Sequence, residues 1–286
     1  MDMQRLRLFS GLCMPELPEV EIVKNGLQEI VGLDVLDVKI FNKNSLSNIL
    51  EENFQKKIKN KKILEIFRRG KNLVFKFSNF FLIIHLKMTG KLILKCYLQK
   101  VSKHERIRFY LSNNKVLSFD DVRKFGNVCF AENLDDKLSK LGPEPLSKEF
   151  SVRHFKERLY LSKVKIKTFL LDQSKIAGIG NIYADESLFL AKIHPLKFSN
   201  QLSNIEIENL FTSIRSVLEK GIENRGTSLG HGEGNFMDIN ANRGNNKNFL
   251  RVYSREGQKC FTCSNKIQKI KICQRSSFFC LKCQKK

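Results

Sequence analysis

Acid is scarce in this sequence: 29 Asp and Glu stand against 51 Lys and Arg, a net charge of +22 over 286 residues. Such an imbalance argues against an acidic or charge-balanced surface and points to a polyanionic partner, nucleic acid being the first candidate. An AT-rich genome, which favours Lys, Asn, Ile and Phe codons, is the alternative source of some of the lysine. Long apolar runs are missing too. None approaches the ~18 residues a membrane-spanning helix needs. Residues 1–13, MDMQRLRLFSGLC, hold too short an apolar stretch for a secretory signal, which leaves a short organellar presequence as the weaker possibility. The reading is a soluble intracellular protein. No internal repeat is visible, which argues against a solenoid or propeller.

What is present falls into texture zones. Val20, Val23, Leu27, Ile30 and Val31 recur at helical spacing, with Gly32 as a stop. From about residue 34 to 130 short apolar runs predict strands: LVFKF (73–77), FFLIIHL (80–86), KLILKCYL (91–98), RIRFYL (106–111), KVLSF (115–119) and NVCFA (127–131), punctuated by Gly, Asn and Ser. LGPEPLSKEF (141–150) carries two prolines and reads as a linker. Helical texture follows over 151–173, 181–192 and 203–222. Residues 221–248 hold six glycines and seven asparagines and read as a mobile loop.

Of eight cysteines, five lie in the last 27 residues. Cys260-x2-Cys263, sixteen residues, then Cys280-x2-Cys283 is the spacing of a closed four-thiolate zinc site, hence a structural metal; two disulfides or idle thiols are the alternatives. Cys273 falls between the pairs and is expected to be partly buried. KICQRSSFFC (271–280) predicts a hairpin with Arg275 near its tip, and residues 259–286 contain eight Lys or Arg and no acid.

Three further segments carry chemistry. KIAGIGNIYADESLF (175–189) lacks the strand and third glycine of a dinucleotide site. It reads instead as a tight turn between helices with Asn181 as cap, either a phosphate cradle or a plain helical hairpin. KKIKNKKILEIFRRGKNLVFKF (56–77) sets nine basic residues against one acid and puts Lys71 just after a glycine, where it either reaches into a cleft or is merely solvated. MPELPEVE (14–21) poses a chemical question. Were Met14 the start and then removed, Pro15 would carry an uncapped secondary amine beside Glu16. Otherwise the dipeptide is only a good helix start.

Taken together, MPELPEVE, RRGKNL, HLKMTG (85–90), RKFG (123–126), LGPEPL (141–146), GIGNIYADE (178–186) and the four-cysteine module resemble, in order, bacterial formamidopyrimidine-DNA glycosylase. The likeness runs from residue 14 to the end. The sister endonuclease VIII branch usually begins Pro-Glu-Gly-Pro, so Leu17 favours the first branch.

The resemblance implies an α+β fold: an N-terminal β-sandwich with a leading helix, a helix-two-turn-helix domain and a zinc-finger hairpin. The implied divisions are an extension (1–13) absent from the mature protein, a catalytic sandwich (14–140), a linker (141–150), a helix-two-turn-helix domain with a mobile lesion loop (151–249) and a zinc finger (250–286). It further implies a monomer acting on double-stranded DNA with oxidised bases, in the cytoplasm at the nucleoid, with one structural Zn2+. The implied activity is removal of 8-oxoguanine and formamidopyrimidines, then strand cleavage.

Site roles carried over by the resemblance are as follows. Pro15 is the Schiff-base nucleophile and Glu16 the proton donor to the sugar ring oxygen, a role suited to a neutral, partly buried carboxyl. Lys71 assists β-elimination, and Arg275 assists δ-elimination. Asn181, His104 and Lys163 contact DNA, although the family lysine falls at or beside Lys163. Met88, Arg123 and Phe125 fill the space left by the extruded base, with Arg123 facing the orphaned cytosine; the alternative for Met88 and Phe125 is a place in the β core. The family's usual Asp-Pro-Arg-Arg is here Asp121-Val122-Arg123-Lys124, expected to loosen one turn. Two other functions stay open: a zinc-dependent damaged-DNA binder without chemistry, and an oxidised-pyrimidine glycosylase.

Overall fold

The computed structural model describes residues 14–230 and 235–285; the 1–13 extension and the expectation attached to it lie outside the described residues. The chain divides into two compact units. One comprises residues up to Ser139 together with Asn224–Lys247; the other comprises Lys140–Glu223 and the chain from Asn248 on.

In the first unit the leading helix α1 (Leu17–Gly26) continues as a 3-10 turn to Ile30, and Gly32, at φ +88, ends it. Val20, Val23, Leu27 and Ile30 are all buried, as their spacing predicts. Nine strands follow, with the helix α2 (Glu51–Ile58) before the second of them. They are β1 (Asp34–Ile40), β2 (Lys61–Lys62), β3 (Glu65–Arg69), β4 (Asn72–Lys76), β5 (Phe81–His85), β6 (Gly90–Cys96), β7 (Glu105–Leu111), β8 (Lys115–Asp121) and β9 (Asn127–Ala131). They form two antiparallel sheets, ordered β2-β1-β7-β8-β6 and β3-β4-β5-β9. One core spans both sheets: Val38, Ile107, Phe109, Leu117 and Phe119 from the first sheet, Leu73, Phe75, Leu82, Ile84 and Val128 from the second, with α1 and α2 against it. The sandwich is therefore present. The six strands predicted from runs of β-branched and aromatic residues occur within two residues of their expected ends.

Two connections in this unit position functional side chains. Arg69 pairs with Asn72, so β3 and β4 are joined by Gly70 and Lys71 alone. Gly70 has φ +61, the first central position of a II′ hairpin, which only glycine fills without strain. Second, Gly90 pairs with Asp121, which brings the turn before β6 beside the turn after β8. A Cβ on Gly90 would fall 2.4 Å from the Leu86 carbonyl, so the first of these turns closes only on glycine.

The segment 224–247 also belongs to this unit. Its glycines and asparagines suggested a mobile loop attached to the helical domain, yet Phe236 and Ile239 are buried in the sandwich core. The Leu94 amide donates to the Ile239 carbonyl at 2.9 Å, and Asp238 accepts from the amides of Asn240 and Asn242. Apolar side chains spaced through a polar segment are easily overlooked.

In the second unit the helices are α4 (Val152–Tyr160), α5 (Ile166–Leu171), α6 (Asn181–Leu190) and α7 (Asn204–Glu223); α3 (Asp135–Leu138) is a single turn in the first unit. The expected continuous helix over 151–173 is broken because Lys165 turns aside to bridge Phe198 and the Ile166 amide donates to the Lys197 carbonyl. Helix α7 passes close to Tyr183 at Gly221, where a Cβ would meet the ring at 2.6 Å. Phe150, Phe155, Phe169 and Phe211 stack into this unit's core. The strands β10 (Gln268–Ile272) and β11 (Arg275–Phe279) form the terminal hairpin. No helix among the described residues is long and apolar enough to cross a membrane.

Candidate active site and metal centre

Pro15 and Glu16 lie at the entrance of α1, and both are buried. Glu16 is the N-cap and only 1% exposed. Its amide donates to Glu19 Oε2 at 2.9 Å, half of a capping box. The other oxygen, Oε1, accepts the amide of Thr227 at 2.8 Å. One buried carboxylate thus ties the Pro-Glu dipeptide to the RGTSL stretch (225–229).

Lys71, offered by the II′ turn, is 5% exposed, so the solvated reading fails for it. It lies near enough to His85 for its charge to be felt there. Burial, together with the charges of Lys87 and Lys71, lowers the His85 imidazole to about 3. His85 Nδ1 accepts the Lys87 amide at 3.0 Å, which leaves Nε2 to carry the proton of the neutral ring. His104 is half-buried just before β7, and its carbonyl accepts the Asp121 amide at 2.8 Å.

Met88, Arg123 and Phe125, separated by up to 37 residues, are brought together by the β6–β8 pairing. Arg123 Nη1 lies 3.2 Å from Met88 Sδ, and its guanidinium stacks 4.6 Å from the centre of the Phe125 ring. Phe125 is 53% exposed, so it is no core residue. The turn after Asp121, expected to be loosened by the loss of proline, is closed instead by the Asp121 carboxylate, and Lys124 takes φ +60 within it.

In the second unit, helix α6 is the hub on which the terminal hairpin hangs. Asn181 donates to the Ser276 carbonyl at 2.9 Å, while its Oδ1 is buried without a partner. Asp185 Oδ2 accepts the Phe278 amide at 3.0 Å. Glu186 accepts the amides of Arg251, Val252 and Tyr253 at 2.8–2.9 Å. Burial raises both carboxyls, Asp185 to about 6, against the pull of the Lys167 ammonium on Asp185 and of the three amides on Glu186.

Lys163 is exposed. Lys167, four residues on and fully buried, donates to Asp185 at 2.5 Å and to the Asn181 carbonyl at 3.1 Å. Sequence reasoning missed it. The signal available was its i, i+3 place between Ile166 and Phe169/Leu170, on the buried side of α5.

The hairpin turns through Cys273 and Gln274, both at positive φ, and Arg275 stands exposed beside them. Cys273 is exposed, not partly buried as expected, because the turn points it outward; its Sγ lies 3.4 Å from the Thr168 hydroxyl. Sγ atoms of Cys260, Cys263, Cys280 and Cys283 all lie within 4.8 Å of one another, with 3.9 Å from 260 to 283 and 3.4 Å from 263 to 280. A tetrahedron of Zn–S bonds near 2.3 Å has edges of about 3.8 Å, so the four fit one zinc. With every position taken by sulfur the metal is structural. Gln284 locks the second knuckle: its Oε1 accepts the Cys280 amide, and its Nε2 donates to the Ile193 carbonyl.

A β-sandwich unit and a helical unit ending in a four-thiolate hairpin are the parts of a zinc-finger DNA glycosylase. Comparison with known families agrees along the chain. The formamidopyrimidine-DNA glycosylase N-terminal domain matches residues 14–128, the formamidopyrimidine-DNA glycosylase H2TH domain 141–231, and the zinc finger found in FPG and IleRS 257–286. A formamidopyrimidine-DNA glycosylase of Rickettsia canadensis is 42% identical over 276 residues, covering 95% of this chain and 99% of that one. One from Protochlamydia amoebophila is 38% identical, covering 96% and 100%. Among solved structures, the Lactococcus lactis Fpg bound to abasic-site DNA superposes with a TM-score of 0.87 at 38% identity, covering 95% of this chain and all (100%) of its own. The chain belongs to the formamidopyrimidine-DNA glycosylase family and is an enzyme of base excision repair.

Proposed function

We propose that this chain excises oxidised purines, including 8-oxoguanine and formamidopyrimidines, from duplex DNA and then cuts the strand, with the nitrogen of Pro15 as nucleophile. The working polypeptide begins at Pro15 once Met14 is removed, so residues 1–13 are not part of it. It acts as a monomer on DNA in the cytoplasm. The observation that carries the reading is the Pro15–Glu16 pair: an acid 1% exposed on a helix cap, next to a proline whose nitrogen becomes an amine only at a chain start.

An α-amine titrates at ~7.7–8.0, against ~10.4 for lysine, so a useful fraction is unprotonated near neutrality. The Pro15 nitrogen attacks C1′ and the C1′–N bond to the damaged base breaks; the ammonium so formed gives up its N–H proton, which passes through water to the departing base. Glu16 gives its proton to O4′ as the sugar ring opens, and C1′ and nitrogen become an iminium. A secondary amine suits this step, because its iminium has no N–H to lose and stays an electron sink. Loss of a C2′ proton expels the 3′ phosphate, assisted by Lys71. A second elimination expels the 5′ phosphate, assisted by Arg275. Water then hydrolyses the iminium and restores the amine. Asn181, His104 and Lys163 hold phosphates, and Met88, Arg123 and Phe125 occupy the vacated stack.

The test is borohydride reduction during turnover of an 8-oxoguanine duplex by protein started at Met14. A covalent protein–DNA adduct, abolished when the terminal amine is acylated, is expected. No adduct, with tight binding retained, would make this a damage-binding protein without chemistry. Faster release of thymine glycol than of 8-oxoguanine would move its specificity to oxidised pyrimidines.

A further inference from the structure

The void-filling reading needs Met88 and the Arg123–Phe125 pair to enter DNA together, yet they sit on separate turns. Between those turns lies a buried polar knot. Asp121 and Thr89 are 1% and 2% exposed. The Thr89 hydroxyl donates to Asp121 Oδ1, and its own oxygen accepts the Arg123 amide at 3.0 Å. Asp121 Oδ1 also accepts that amide at 3.2 Å, and Oδ2 accepts the Gly126 amide at 2.7 Å. Arg106, itself buried, donates through Nε to the Asp121 carbonyl at 2.8 Å. The knot therefore brackets 123–126 at both ends and fastens it to the residue that follows Met88.

We infer that Thr89 and Asp121 are positioning residues that join the two turns into one rigid wedge, and so set both base-stack insertion and reading of the opposite base. Neither touches DNA; each acts through the backbone of Arg123. The inference rests on the proposed void-filling role and deepens it. A two-turn wedge without the tie would present Met88 and Arg123 independently, and each insertion would cost the ordering of two segments instead of one.

Thr89→Val removes the hydroxyl at nearly constant shape, Thr89→Ala does so without setting a methyl against the carboxylate, and Thr89→Ser keeps it. Two readouts separate positioning from general destabilisation: the ratio of excision rates for 8-oxoguanine opposite cytosine and opposite adenine, and the fluorescence rise of a 2-aminopurine beside the lesion on unstacking. Thr89→Val or Thr89→Ala is expected to lower the cytosine-to-adenine ratio about tenfold, the scale of one lost hydrogen bond to a charged group, and to blunt the fluorescence rise; Thr89→Ser restores both. If both rates fall in parallel with the ratio intact, or if ratio and fluorescence stay at wild-type values, the inference is wrong. Arg123→Ala tells the two failures apart: if it too leaves ratio and fluorescence unchanged, the void-filling reading itself has failed.

Discussion

Two turns in this protein each present an arginine, and they are built by opposite means. The Arg123 turn follows β8 in a five-stranded sheet and is closed by a buried carboxylate. The Arg275 turn joins two five-residue strands whose apolar support is a small cluster of Phe189, Val252, Ile267 and Phe278. A large core can spare a buried Asp as a local tie. A module of some thirty residues cannot bury enough apolar surface to hold itself, and depends on metal and on hydrogen bonds from a neighbouring helix. The contrast sorts the expected effects of breaking each.

Zinc removal is the largest. Metal binding in such modules carries apparent free energies on the order of 10 kcal/mol, so chelation should unfold the hairpin, abolish strand cleavage and leave the sandwich unit's amide signals in place in NMR spectra. One zinc per chain is expected by elemental analysis, and Cys260→Ser should behave like the chelated protein.

Next comes Lys167→Met, which strands the fully buried Asp185 without its partner. Breaking such a pair costs about 3–5 kcal/mol, read as a lower denaturant midpoint for the helical unit. The Arg275 hairpin should loosen with it, since Asp185 holds the Phe278 amide.

A third effect belongs to the sandwich. His85, at the end of β5 just before the Met88 turn, takes up a proton only near 3 when folded, against 6.5 for the ordinary side chain. Between those values the unfolded chain binds the extra proton, so this residue costs stability as pH falls from 6.5 towards 3, by up to about 1.4 kcal/mol per pH unit. Asp185, raised to about 6, acts in the opposite sense as pH falls from there to its ordinary 3.8, so the bulk curve mixes the two. The pH dependence of the difference between wild type and His85→Asn, which retains an acceptor for the Lys87 amide, isolates the histidine; the difference should become flat above pH 7 or so.

The smallest effect sharpens the comparison from the other side. Cys273 and Gln274 both adopt positive φ, at 47 and 61 degrees, where Asn-Gly is favoured. Replacing them by Asn and Gly should stabilise the hairpin by about 1 kcal/mol, read from its melting or from its zinc affinity.

Much of this was legible in the sequence, for physical reasons. Thiolate spacing encodes a tetrahedron directly, and strand runs encode burial, so the zinc site and the six strands were readable. Met88, Arg123 and Phe125 were reached only through family resemblance, because nothing local says that Gly90 will pair with Asp121. Lys71 looked like any surface lysine, since burial of a hairpin residue depends on what packs over it. Lys167 was missed for a related reason: a buried lysine in an apolar stretch makes sense only once Asp185, eighteen residues on, is known to face it. Glu19 and Thr89 lie within MPELPEVE and HLKMTG, but their bonds to the distant amides of Thr227 and Arg123 left no local signal.

The proposed strand scission turns on the Pro15 nitrogen, and mass spectrometry of the borohydride-trapped protein tests that role most directly. After complete digestion of the DNA and trypsin cleavage, the deoxyribose remnant should ride on the peptide Pro15–Lys24, attached at its N-terminal nitrogen. A remnant found on Lys71 instead, or an active protein whose intact mass shows residues 1–14 still joined to Pro15, would contradict it.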